Sequence, residues 1–138
     1  MELQVGVKAL LKNREGNYLL LRRSLAKYPD AKGRWDIVGG RIEAGAPLLE
    51  NLRREIKEET SMDLAGEPQL RAAQDILRVP GRHVVRLTYI GEATGTITLD
   101  ANENDTYQWF TKEELLHLGD VDIYFKELLD KGLLNLEP

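Results

Sequence analysis

There is no cysteine in the 138 residues, which removes disulfides, thiolate metal sites and a cysteine nucleophile together. Positive charge is outnumbered: 19 Lys and Arg against 23 Asp and Glu leave a net charge of −4. Stable binding to nucleic acid or to an anionic membrane needs clustered cations, so neither is expected. No apolar run approaches the length of a membrane span, and the first residues lack a signal-peptide core, so a cytoplasmic location is expected. No G-x-S-x-G elbow, Walker-type loop or dinucleotide fingerprint occurs. Repeats, low-complexity tracts and linkers are missing too. The two histidines, His83 and His117, have no partner motif and read as structural or exposed.

What is present belongs to a soluble globular domain. A hydrophobic share of 42% beside 30% charged residues is enough for a real core, and residues 1–138 read as a single domain. The most informative stretch runs from Val38 to Met62, V-G-G-R-I-E-A-G-A-P-L-L-E-N-L-R-R-E-I-K-E-E-T-S-M. Gly39-Gly40 and Gly45 permit backbone shapes closed to other residues and predict a tight loop. Pro47 suits the first turn of a helix. From there to about Ser61, Leu48, Leu49, Leu52 and Ile56 recur at helical spacing and are expected to form one buried stripe. Glu55, Glu58 and Glu59 stand three and four residues apart and are expected to project from one face of that helix. Such carboxylates repel one another, and a divalent cation would relieve that repulsion through hard oxygen ligands. A solvated acidic face balanced by Arg53, Arg54 and Lys57 is the plainer reading of E-x-x-E-E alone. The glycine loop just before the helix favours the cation.

Glycine loop and acidic helix together resemble the Nudix box, G, five residues, E, seven residues, R-E-U-x-E-E-x-G-U, where U is a bulky aliphatic. Gly40 fills the first position, Arg54-Glu55-Ile56-Lys57-Glu58-Glu59 fills the core, and Met62 closes it. Two positions depart. Ser61 stands where the motif has its late Gly, a place where a left-handed turn ends the helix. Ala46 stands where the motif has its first Glu, the residue that pairs with the Arg and so holds the catalytic Glu. Arg54 therefore needs another partner, and Glu50 or Glu43 is the expected substitute. Activity is expected to survive.

The remaining chain is read in order. Leu3 to Leu11 predicts a strand with Val5, Val7 and Ala9 on one face. Asn13 to Asn17 is a turn, and Tyr18 to Arg22 returns. Residues 24–34 form an irregular loop. Trp35 to Val38 is a short strand entering the glycines, with Trp35 more a core residue than a stacking platform. After the helix, Leu70 to Arg78 and His83 to Ala93 form a hairpin about the Val79–Arg82 turn. Thr96 to Leu99 is a further short strand, residues 100–105 a polar acidic loop, and Tyr107 to Phe110 a last strand. Thr111 and Glu114 predict a capping box for a helix over Lys112 to Leu118. Asp120 or Asp122 opens the final helix, which buries Ile123, Phe125, Leu128 and Leu129 and ends at Gly132. Strands with three helices and no regular β-α-β alternation predict a mixed sheet with helices on both faces. This order is similar to the Nudix-type α/β/α sandwich with a mixed central β-sheet, and the resemblance covers nearly the whole chain.

The resemblance implies hydrolysis of a diphosphate linkage in a nucleoside diphosphate joined to a group X, with Mg²⁺ or Mn²⁺. Charge neutralisation by a Lewis acid, in-line geometry and a proton acceptor are what attack by water on phosphorus requires. The implied metal-facing groups are Glu55, Glu58, Glu59 and the Gly39 carbonyl. Glu103, an acid in the loop before the W-F strand, is a further ligand or the general base. Glu55 is the first choice as base, oriented by Arg54. Arg23 is a candidate for the substrate's phosphates, surface solubility being an equal explanation, and Trp35 is a candidate substrate contact. Glu92, Asp100 and Asp105 read as solvated. Substrate marks downstream of the box are unpersuasive, Pro80 and Tyr89 both falling late. A (deoxy)nucleoside triphosphate is the leading small-molecule substrate, with ADP-ribose or another nucleotide sugar behind it. Two readings from other classes are a catalytically silent nucleotide sensor and a scaffold with a merely acidic helix. A homodimer is common in the family, and nothing in the sequence locates an interface.

Overall fold

Neighbouring residues of a single strand separate the two sides of the molecule. In the computed structural model, which describes residues 1–136, β1 (Glu2–Lys12) sends Val7, Ala9 and Leu11 into one buried cluster and Leu10 into another. β2 (Tyr18–Arg23) does the same, with Leu19 and Leu21 opposed to Tyr18 and Leu20. A side-chain period of two has this effect when both faces of a strand are covered. The other strands are β3 (Trp35–Asp36), β4 (Val38–Arg41), β5 (Asp63–Ile76), β6 (Arg82–Thr94) and β7 (Asn104–Phe110). α1 (Leu48–Thr60) lies over the first cluster through Leu52 and Ile56. α2 (Lys112–His117) and α3 (Ile123–Asp130) lie over the second through Leu115, Phe125 and Leu128. The expected α/β/α sandwich is present.

The sheet is mixed, as expected. Its main path runs β3-β2-β1-β6-β5, with β4 paired to β1 and β7 to β2. β1 and β6 run parallel from Glu2 opposite Arg82 to Lys12 opposite Glu92, and every other strand pairing is antiparallel. β1 holds β2 only at Leu11 and Lys12, and further back the same edge is taken by β4. The two strands therefore part from each other like a fork, and the fork is what the cleft described below opens into. Among the described residues no helix is long and apolar enough to cross a membrane.

Several boundaries differ from the sequence reading, each for a local reason. Thr96 to Leu99 is not a strand. Its alternation is real, since Ile97 and Leu99 pack on the first cluster, but its backbone closes the end of α1, Thr98 N donating to Thr60 O at 2.9 Å. Trp35 to Val38 is two strands: the chain leaves β2 at Asp36 and joins β1 at Val38, and the Asp36 carboxylate accepts from Ile37 N at 2.7 Å at the switch. β5 starts at Asp63 instead of Leu70, because Gly66-Glu67-Pro68 is absorbed where the register slips between Ala65 and Gln69. β7 likewise begins earlier, at Asn104. Pro47 is the N-cap of α1, with ψ at 156°, and the first helical residue is Leu48. Leu48 and Ile123 were expected inside and are 37% and 55% exposed. Ser61 caps α1 in the left-handed conformation, φ 65°, where the motif has Gly. The capping box of Thr111 and Glu114 and the Asp122 cap of α3 form as expected.

Candidate active site

The loop between β4 and α1 brings the acidic helix against a backbone that only glycine could supply. Gly39 has φ +139°, and a Cβ there would fall 2.0 Å from Val7 O across the β1–β4 pairing. At Gly40 a Cβ would fall 2.7 Å from Glu55 Oε2, so the missing side chain is what lets Glu55 approach. Glu59 lies on the same side, accepting a hydrogen bond from Gly39 N at 3.0 Å on Oε2. Glu58 does not join them: it is largely exposed and meets Arg54 Nη1 at 3.3 Å.

Arg54 is held on several sides. It donates from Nη1 to Glu55 Oε1 at 3.0 Å, and from Nη2 to Asn51 Oδ1 at 3.0 Å and Arg41 O at 3.3 Å. Nε faces Glu43 Oε1 at 3.7 Å. Of the two acids expected to replace the one missing at Ala46, Glu43 is thus the one near Arg54. Asn51 was not anticipated.

Burial acts on both inward acids. It raises the pKa of Glu55 above the ordinary carboxylate range, with Arg54 opposing. It raises Glu59 to about 7, opposed by Lys8 and the Gly39 hydrogen bond and reinforced by Glu55. Two desolvated acids that disfavour each other's charge suit a divalent cation. All donors here are oxygen, the set a hard ion takes, and Mg²⁺ commonly uses only one or two carboxylates beside waters and substrate phosphates. Among the described residues no three acidic or histidine side chains form a ready cage. The protein oxygens that could hold such an ion are those of Glu55, Glu59 and the Gly39 carbonyl, with Glu58 at the edge. Lys8 Nζ stands 3.5 Å from that carbonyl.

From the carboxylates a cleft of about 600 Å³ continues along the fork of β1 and β2. Its floor alternates in charge. Lys8 Nζ meets Asp36 Oδ2 at 3.1 Å, Asp36 Oδ1 meets Arg86 Nη2 at 3.2 Å, and Arg86 Nη1 meets Asp122 Oδ2 at 2.9 Å. Burial pushes Asp36 up, yet Lys8 and Arg86 together hold it below the usual carboxylate range. Arg86 Nε is buried with no hydrogen-bond partner. Tyr124 and Arg78 complete this end, the guanidinium 5.2 Å from the ring centroid. Asp122 was read only as a helix cap, and the others did not stand out from the sequence alone. Arg86 left a trace, a charge inside V-V-R-L-T-Y-I, but its partners are 36 and 50 residues away.

Glu103 and Arg23 also reach the cleft. Glu103 comes already engaged: Tyr28 Oη donates to Oε2 at 2.6 Å, and the Lys27 ammonium pairs with Oε1. Those two donors hold its pKa below the ordinary range. Arg23 lies 5.4 Å from the Tyr28 ring and 3.7 Å from Asp36 Oδ2. Trp35 is not brought to the cleft. It meets Phe110 edge-on at 5.3 Å and packs on the second core cluster. Of the three acids read as solvated, Glu92 is exposed, Asp105 is clamped between Arg22 and Arg34, and Asp100 lines the cleft rim. His83 pairs with Asp75 and His117 with Glu113, both away from the cleft.

A forked mixed sheet hands a Gly-Gly bend to an inward-facing acidic helix, the arrangement that the Nudix resemblance implies. The NUDIX domain family model matches residues 2–130, and the chain belongs to that family of pyrophosphohydrolases. Solved structures agree. The MutT protein from Methanosarcina mazei Go1 superposes with a TM-score of 0.77 at 25% identity, over 94% of this chain and 91% of that one. The MutT NUDIX hydrolase from Burkholderia pseudomallei gives 0.77 at 23% identity, over 94% and 98%. A UDP-X diphosphatase gives 0.68 at 19% identity, over 96% of this chain and 64% of that one. No curated protein matches.

Proposed function

We propose that this pyrophosphohydrolase cleaves a diphosphate linkage in a nucleoside diphosphate-X compound, a (deoxy)nucleoside triphosphate foremost, with Mg²⁺ or Mn²⁺. One observation carries the reading: a single cleft of about 600 Å³ joins the Glu55–Glu59 pair to an end built from Arg78, Arg86 and Tyr124. That volume suits one small ligand of nucleotide size. The acidic end takes the diphosphate, and the cationic, aromatic end takes the nucleoside.

Glu55, Glu59, the Gly39 carbonyl and, at the edge, Glu58 would hold the cation. When bound, it neutralises the phosphate charge as a Lewis acid. Glu55 is the general base. One of its oxygens is tied to Arg54 and the other faces Gly40 and the cleft, so it accepts the water's proton as the water oxygen bonds to phosphorus and the bridging P–O bond breaks. Glu103 is less suited, because both its oxygens already accept from Lys27 and Tyr28. Its part is to close the rim and, once released from those donors, to add a ligand. Arg23 faces the phosphates from β2.

A release assay for phosphate and pyrophosphate over nucleoside triphosphates, ADP-ribose, nucleotide sugars and dinucleoside polyphosphates tests the proposal, with Glu55→Gln beside the wild type. Turnover of a triphosphate that falls at least about 100-fold in Glu55→Gln is expected. Silence of the wild type across the panel, with nucleotide bound, would instead favour the sensor.

A further inference from the structure

Asn51 is the most completely used buried polar side chain in α1. It is 1% exposed. Its Oδ1 accepts from Glu43 N at 2.8 Å and from Arg54 Nη2 at 3.0 Å. Its Nδ2 donates to Ala46 O and Pro47 O, each at 3.0 Å. The surroundings fix the amide's orientation, since a flipped amide would set N–H groups against Glu43 N and Arg54. The residue therefore joins two things: the loop that enters α1, and the guanidinium that grips Glu55.

We infer that Asn51 is a positioning residue for the site, acting through Arg54 on Glu55. Arg54 is a long side chain with acids on two sides, Glu55 at 3.0 Å and Glu58 at 3.3 Å. Without an acceptor on Asn51 fixing Nη2 it can turn toward Glu58 or follow the exposed Glu43. Asn51 Oδ1 and Arg41 O hold the fork from behind, so one Glu55 oxygen stays occupied and the other faces Gly40. The role belongs to this chain, whose position 46 is Ala and offers Arg54 no acid.

The inference rests on the metal-facing role proposed for Glu55, and the test separates the two. Mn²⁺ alone is the probe, its free concentration followed by EPR in titrations of wild type, Asn51→Ala, Asn51→Asp and Glu55→Gln, with melting curves in EDTA. Asn51→Ala removes the acceptor for Arg54, whereas Asn51→Asp keeps it, and both lose the donors to Ala46 and Pro47. Both variants are expected to melt earlier than wild type by similar amounts. Only Asn51→Ala is expected to bind Mn²⁺ about tenfold more weakly, the usual scale for a group that orients a ligand, with Asn51→Asp within about threefold of wild type. Equal losses of affinity in both variants, or none in either, would overturn the role of Asn51 while Glu55→Gln still weakens binding. Unchanged binding in Glu55→Gln would overturn the site and the inference together.

Discussion

Gly40 is a residue whose contribution is an absence. A methyl group there would sit 2.7 Å from Glu55 Oε2, and the carboxylate, being the end of a flexible side chain, is what would yield. Gly40→Ala is therefore expected to fold with little change in melting temperature while losing about tenfold or more in kcat, because a displacement near 1 Å at a reacting group is costly. Full activity in that variant would show that Glu55 is not held against the bend. Ser61 is the opposite case, a side chain where the backbone favours none. Its φ of 65° strains an L-residue, and its Oγ returns only a 3.3 Å hydrogen bond to Thr98 O. Ser61→Gly is expected to stabilise the fold by about 0.5–1 kcal/mol through relief at the left-handed cap. Urea denaturation would measure it, and a loss of stability would mean that the Thr98 contact outweighs the strain.

At the scale of elements, α3 is bound to the sheet by one carboxylate with two tasks. Asp122 accepts from Tyr124 N and Phe125 N as the N-cap, and it also meets Arg86 Nη1 at 2.9 Å. Asp122→Ala removes the cap and leaves a buried guanidinium with Asp36 as its remaining ion-pair partner, so a loss of about 3 kcal/mol or more is expected. A loss under about 1 kcal/mol in urea titration would refute the coupling of helix and floor. The same elements show what a sequence can disclose. β6 was readable because burial of alternate residues leaves its period in the chain, and β1 and β2 because strands covered on both faces read as apolar runs broken by turn residues. Glu55 and Glu59 were readable because a helix turns an i, i+4 spacing into a shared direction, whereas Glu58, expected on the same face, turns outward to Arg54. The start of β5 at Leu70 and the strand over Thr96 to Leu99 were misread because a register slip resembles a turn and a packed coil can alternate like a strand. The cleft floor was unreadable as a set: Asp36, Arg86 and Asp122 come from three elements and meet only because the sheet is folded. Tyr28 and Lys27 were hidden likewise, in a loop whose partner Glu103 lies 75 and 76 residues on.

For the whole molecule, protons and cations compete for the same inward carboxylates, and stability should report the competition. Glu59 has its pKa raised by burial from 4.5 to about 7. A raised acid means that the folded chain binds more protons than the unfolded one between those values, so the stability it contributes is full below about 4.5 and declines as pH rises to about 7. Asp36 acts in the other sense: its pKa is lowered, so its contribution is present above the ordinary carboxylate range and is lost in acid. Without metal the protein should therefore be most stable on the acid side of neutrality and weaken toward alkaline pH. A divalent cation reverses the second limb, because above about pH 7 it meets Glu59 already ionised, whereas at about pH 5.5 it must displace a proton. Melting curves in EDTA and in excess Mg²⁺, at about pH 5.5 and about pH 8, should show the larger Mg²⁺-induced rise at the higher pH. Glu59→Gln should flatten the EDTA trend between those values and remove most of the rise. Equal Mg²⁺ shifts at both pH values in the wild type would place the cation away from Glu59. A pH trend undiminished in Glu59→Gln, beyond the smaller part due to the raised Glu55, would assign it to another group.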